Sequence, residues 1–157
     1  HSWQNVPEGE YNEGIRCENL EKQTFSDQSF DIVITQDVFE HVLNPDKAFA
    51  EIGRTLKPNG VHIFTVPWNS NQPTFVRARN SSSGIQYFAG KKYHGNPIDP
   101  KGSLVITDWG DNLINYINSA SGMKTKIFPL VNPRYGFIRK TEVFISYKPI
   151  IHKFNKE

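Results

Sequence analysis

Two short segments concentrate the side chains able to do chemistry. Gln36-Asp37 and Glu40-His41 crowd four polar or titratable groups behind the apolar run at 30–35. Glu40-His41 offers a general base, with His41 the candidate catalytic group and Glu40 read as a polar-network partner. Asp37 has a plainer reading, as the cap of a short helix over 38–42. The second segment, Tyr93-His94-Gly95-Asn96-Pro97, places an imidazole among turn residues in a long polar stretch, where loops carry function. It is the candidate substrate motif, with Tyr93 and His94 as contacts and His94 a second candidate for catalysis. Its plain reading is a tight turn with an exposed histidine. Trp68 and Trp109 can stack on a bound molecule or simply fill the core. His1, His41, His62 and His94 show no i, i+4 spacing and Cys17 is the only cysteine, so no metal site is expected.

These groups need a scaffold, and the surrounding pattern supplies one. Residues 30–35 are short, apolar and rich in β-branched side chains, as in a strand buried on both faces. Open α/β sheets bind ligands at the carboxyl ends of such strands, where Gln36 and Asp37 stand. Asn44 can cap a helix with Pro45 at its first position and Asp46 in its first turn. Ala48, Phe49, Ile52 and Leu56 give that helix one apolar face. Asn59-Gly60 reads as its stop and 61–66 as a second buried strand, completing a right-handed βαβ unit. Gly14 to Cys17 reads as a further strand, with Cys17 a small buried hydrophobe.

Further on, residues 69–107 are too long for a plain connection. A small hairpin between 85–88 and 104–107 is expected within them. Asp108 or Asp111 caps a helix to about Ser121, with Leu113, Ile114 and Ile117 buried and Gly122 as its stop. Residues 125–130 and 142–147 then read as an antiparallel pair joined by a loop at 132–136. His62, among apolar neighbours in a strand, reads as a satisfied core or edge histidine.

The wording FSDQSFDIVITQDVFEHV, then NPDKAFAEIGRTLKPNG, then a strand ending in TVP, resembles the middle of a class I S-adenosylmethionine-dependent methyltransferase. That family has phrases close to F-x-D-x-S-F-D-x-V, E-H-V and L-K-P-G-G. Asn59 here replaces a glycine, and asparagine also tolerates positive φ. The match is close over 17–67 and looser beyond. It implies a Rossmann-like three-layer α/β/α methyltransferase fold with the spatial strand order 3-2-1-4-5-7-6. On that alignment 15–19 is strand three and 30–36 strand four. No G-x-G-x-G occurs, so the domain is expected to be truncated at the N-terminus, without strands one and two. The whole of 1–157 is then one partial domain. A cofactor-side core occupies 15–67, a substrate-side insertion after strand five 68–107, and a helix with an antiparallel strand pair 108–149. The resemblance further implies S-adenosyl-L-methionine as cofactor. Glu18, Asn19 and Leu20 would serve its adenine, and Gln36 and Asp37 its methionine part, with Trp68, Tyr93 and His94 toward the substrate.

Composition limits the other readings. Net charge is +2, which argues against a dedicated nucleic-acid binder, and no Asn-Pro-Pro-Tyr signature of a base methylase follows strand four. Residues 1–80 hold 7 basic and 11 acidic side chains and the remainder 11 and 5, a bias read as ordinary solvated surface. With no apolar run of membrane length, no signal peptide and a lone cysteine, a cytoplasmic protein acting on a small molecule is expected. The unpaired sheet edge left by the missing strands makes a homodimer through that edge the companion expectation. Two other classes stay open: a non-catalytic methyltransferase-like interaction module, and a nucleotide-binding oxidoreductase or epimerase. The second lacks a Tyr-x-x-x-Lys pair.

Overall fold

The apolar run predicted as a strand is one: β1, Phe30–Gln36, lies parallel to β2, Leu56–Thr65, with Ile34 opposite Ile63 and Gln36 opposite Thr65. The computed structural model describes residues 6–96 and 99–150, so His1 and Pro97 lie outside the described residues. Helix α1, Pro45–Thr55, joins the two strands as the βαβ reading requires. Ala48, Phe49 and Ile52 are buried along one of its faces.

Its ends differ from expectation. Asn44 stands at the N-cap without a side-chain capping bond, because its amide is taken by Glu21, which accepts from Asn44 Nδ2 at 2.6 Å and from its backbone N–H at 2.9 Å. The helix stops at Thr55 rather than at Asn59-Gly60, and Leu56 is already extended. Pro58 explains this: its ring would clash with the Arg54 carbonyl, and it drives Lys57 toward extended geometry. Asn59, at φ +63°, instead sits in an irregular stretch where the β1–β2 register shifts.

Helix α2, Leu113–Ser121, has Asn112 rather than Asp108 or Asp111 at its N-cap and ends at Gly122, φ +69°. Its Leu113 and Ile117 are buried, and Ile114 is half-buried. Strands β3, Lys124–Asn132, and β4, Phe137–Tyr147, form the predicted antiparallel pair around a single 3-10 turn and Gly136. The sheet order is β3-β4-β2-β1, with β4 antiparallel to β2. This mixed sheet with crossover helix is the expected Rossmann-like α/β arrangement.

Both helices pack together on one face of the sheet. Phe39 stacks on Phe49 at 3.9 Å, and Phe64 lies between His62 at 4.6 Å and Phe144 at 5.1 Å. Each of the phenylalanine rings, fully buried, contributes about 1.5–3 kcal/mol. The opposite face is barer than predicted. Ile34 is 71% exposed and Ile32 55%, so β1 is not covered on both faces, and among the described residues no strand pairs with its outer edge.

Residues 11–16 form a two-residue hairpin apart from the main sheet, Tyr11–Asn12 with Ile15–Arg16, and Cys17 is half-buried. The segment after β2 is a chain of small pairings, but not the one predicted. Residues 84–87 pair with 78–81 across Ser82-Ser83, Ser103–Leu104 pairs with Tyr93–His94, and Thr107–Asp108 with Phe75–Val76. The two-residue loop closes at smaller entropic cost than a hairpin between 85–88 and 104–107 would. No helix among the described residues is long and apolar enough to cross a membrane.

Candidate functional site

At the carboxyl ends of β1 and β2 lies an open cavity of about 860 Å³. Gln36, Asp37, Glu40, His41, Thr65, Trp68 and His94 all line it. β1 delivers Gln36 and then breaks at Asp37, which takes φ +49°. There the Asp37 N–H donates to the Thr65 carbonyl and its carboxylate accepts from Thr65 Oγ1, each at 3.0 Å. Asp37 therefore caps no helix. Residues 38–42 form a turn closed by the His41 N–H on the Val38 carbonyl, not the expected short helix.

That turn is clamped from outside by residues 103–107. The N–H groups of Ile106 and Thr107 both donate to the Glu40 carbonyl, at 2.7 and 3.1 Å. His41 Nδ1 donates to the Leu104 carbonyl at 2.7 Å, which leaves Nε2 as the nitrogen with a free lone pair. Ser103–Leu104 also pairs with Tyr93–His94, so one short strand fixes both histidines. Their rings meet edge to face at 5.6 Å. Glu40 sits between them, 1% exposed, with Oε1 3.6 Å from His41 Nε2 and 3.8 Å from His94 Nδ1. Neither of its carboxylate oxygens has a hydrogen-bond partner.

Electrostatics follow from this packing. Burial pushes the Glu40 carboxyl above the ordinary glutamate range; Asp37 adds to the effect, while the backbone and His41 oppose it. Burial, then the charges of His41 and Lys92, lower the affinity of His94 for a proton. The cavity thus carries three carboxylates, Asp37, Glu40 and Glu142, and two imidazoles, and among the described residues Lys140, paired with Glu142 at 3.4 Å, is the only lysine or arginine along its wall. Such a wall favours a cationic ligand.

The other predicted residues lie elsewhere or differ in role. Tyr93 is half-exposed and is not part of the cavity wall, although its neighbour His94 is. Trp68 is on the wall, its Nε1–H donating to the Gly110 carbonyl at 2.8 Å, whereas Trp109 is buried in the core. Glu18 and Leu20 line a second, smaller cavity of about 280 Å³ against Ile32, Val33 and Ile52. The Glu18 carboxylate is occupied there by Arg16 Nε at 2.7 Å and by Thr24, through both its N–H and its hydroxyl. Against the cost of burial, those bonds from Thr24 and Arg16 hold its carboxyl below the usual glutamate range. Asn19 Oδ1 accepts from the Glu21 N–H at 2.9 Å in a local turn. Thr65 and the Leu104 carbonyl were not foreseen. Thr65 carries a visible signal, its place at the end of the second strand, but nothing local marks Leu104.

Comparison with known proteins agrees with this architecture. Residues 2–64 match the family described as "Methyltransferase domain". No curated protein sequence matches the chain. Among solved structures it is similar to an S-adenosylmethionine-dependent methyltransferase from Methanosarcina mazei, with 16% identity and TM-score 0.50 over 85% of this chain and 66% of that one. It is also similar to 1,6-didemethyltoxoflavin-N1-methyltransferase from Burkholderia thailandensis, solved with 1,6-didemethyltoxoflavin and S-adenosylhomocysteine. That match has 13% identity and TM-score 0.52, over 83% of this chain and 48% of the other. A methyltransferase from Mesorhizobium loti gives 13% identity and TM-score 0.51 over 83% and 67%. The chain thus spans from about half to two thirds of the length of these structures.

Proposed function

We propose that this chain, which carries the methyltransferase-domain sequence pattern and has the fold of the S-adenosylmethionine-dependent methyltransferases, is the part of such an enzyme that holds the methionine end of the cofactor and the methyl acceptor. The observation that carries the reading is the cavity at the carboxyl ends of the parallel strands β1 and β2, where Gln36 and Asp37 stand. Its volume suits a cofactor with a small acceptor beside it. The donor set also fits, because S-adenosylmethionine is cationic at sulfur and at its amino group and the wall offers the Asp37 and Glu40 carboxylates. Glu18 and Leu20, beside the second cavity, would take the adenine, with Asn19 in the same turn.

When bound, the cofactor supplies an activated methyl group, and the protein's part is mainly alignment. Gln36 and Asp37 would orient the donor while Trp68 and the 93–94 strand bound the acceptor side. Residues 15–67 then form the cofactor side, 68–107 the substrate side, and 108–149 the supporting helix and strand pair. An acceptor that must lose a proton would meet His41 or His94, both on the wall. A small-molecule acceptor, a cytoplasmic setting and a homodimer through the free edge of β1 belong to the same reading.

Calorimetric titration with S-adenosylmethionine and S-adenosylhomocysteine tests it. Saturable heat that is lost in Asp37→Ala supports cofactor binding. No heat at sub-millimolar ligand refutes it and favours a non-catalytic interaction module.

A further inference from the structure

We infer that Glu40, His41 and His94 form a binding site for a single divalent transition-metal ion of the zinc type, opening onto the main cavity. The three residues come from two segments more than fifty positions apart, yet one ligand atom from each lies within 4.8 Å of the others. Two metal–ligand bonds of about 2.1 Å at the tetrahedral angle span about 3.4 Å. The separations of 3.6 and 3.8 Å from Glu40 Oε1 to the two imidazole nitrogens are within a few tenths of an ångström of that span. They are too long for hydrogen bonds.

Glu40 is the independent observation. A carboxylate 1% exposed, with both oxygens unpartnered, is costly unless something cationic meets it. Its backbone is held in place by the Ile106 and Thr107 N–H groups on the Glu40 carbonyl. The support around the ligands points the same way. The bond from His41 Nδ1 to the Leu104 carbonyl fixes the ring and presents Nε2 to the cluster, as an outer-shell carbonyl does for a ligating histidine. Two imidazoles and one carboxylate suit zinc, iron or cobalt rather than magnesium, which prefers oxygen alone. Three protein ligands leave coordination open, and all three residues line the large cavity, so the open side faces bound molecules. The site shares Glu40, His41 and His94 with the methyl-transfer reading, and a bound ion would take up the lone pairs that reading gives to proton removal; its formation itself needs no cofactor.

The test uses the full 157-residue chain in chelator-treated buffer. Zinc titration by calorimetry should show one equivalent, and cobalt should give the visible absorption of a low-coordinate centre. His94→Ala alters a half-exposed hairpin and should weaken zinc at least about tenfold, as should the shape-conserving Glu40→Gln. Excess magnesium should not displace the zinc. Circular dichroism checks that each variant is folded, and His94→Ala decides the matter if Glu40→Gln is not. Zinc that binds wild type and His94→Ala equally belongs elsewhere on the chain and overturns the proposal. Absence of any zinc or cobalt binding to the wild type overturns it as well.

Discussion

His62 should make the stability of this protein fall steeply below neutral pH, by an amount the structure sets. It is fully buried in β2, stacked on Phe64 and packed against Phe39, and its one hydrogen bond joins Nε2 to Thr35 Oγ1 at 2.8 Å. Burial alone lowers its pKa from 6.5 to about 3. The unfolded chain therefore takes up a proton that the folded chain refuses. Stability is complete above pH 6.5 and declines as the pH drops toward 3. At 1.36 kcal/mol per decade, the loss between pH 7.5 and pH 5 is about 2 kcal/mol, a large share of a typical domain's stability. His62→Phe keeps the ring stack and removes the titration, giving up about 1 kcal/mol for the Thr35 bond at pH 7.5. Urea unfolding followed by tryptophan fluorescence, which reports on the buried Trp109, should be run on both proteins at pH 5.0, 6.0 and 7.5. Every other ionisable group is common to both proteins and cancels in the difference. The wild type should lose about 2 kcal/mol more than the variant. Parallel stability curves would show that the imidazole is hydrated or already charged in the fold, and the reasoning would fail.

Three other outcomes are expected. Gly110→Ala should lower the melting temperature markedly, because a Cβ there would lie 2.2 Å from the Gln72 carbonyl oxygen and 2.3 Å from Pro73 C, at an overpacking cost of about 3 kcal/mol; an unchanged melting temperature would mean that the 72–74 backbone moves freely. Arg54→Met should cost about 1–2 kcal/mol in urea unfolding, because it removes the two-pronged pair with Glu51, at 2.8 Å on each prong, and the bonds to Asp27 and the Phe25 and Gln23 carbonyls that tie the 23–27 loop to α1. Ile34→Lys, on the open strand β1, should abolish concentration-dependent self-association in light scattering, and a wild type monomeric at every concentration would remove the edge-paired dimer.

Much of the scaffold was legible because its signals are local. The strand at 30–36, the amphipathic face of α1, the Gly122 stop and the antiparallel pair at the end of the chain each declare themselves within about a dozen residues. The errors arose where two local rules competed. Asn59-Gly60 has the chemistry of a helix stop, but Pro58 had already ended the helix. Likewise 85–87 has strand chemistry, yet its partner is set by the nearer closing loop rather than by the more apolar segment downstream.

The candidate site shows the same limit at longer range. Gln36 and Asp37 could be placed from the end of a strand, since the ligand position of an open α/β sheet follows from strand direction alone. The absence of i, i+4 histidine spacing gave no warning of Glu40, His41 and His94, because that rule inspects one helix face and this cluster lies on a turn and a short strand far apart in the chain. What brings them together is the Leu104 carbonyl and its paired strand, a backbone group with no side-chain signature. A rule fitted to this fold would ask which isolated histidine in the segment after β2 can be paired back onto the turn after β1. His94 meets that condition through Ser103–Leu104, and a buried carboxylate without a hydrogen bond marks where the two segments converge.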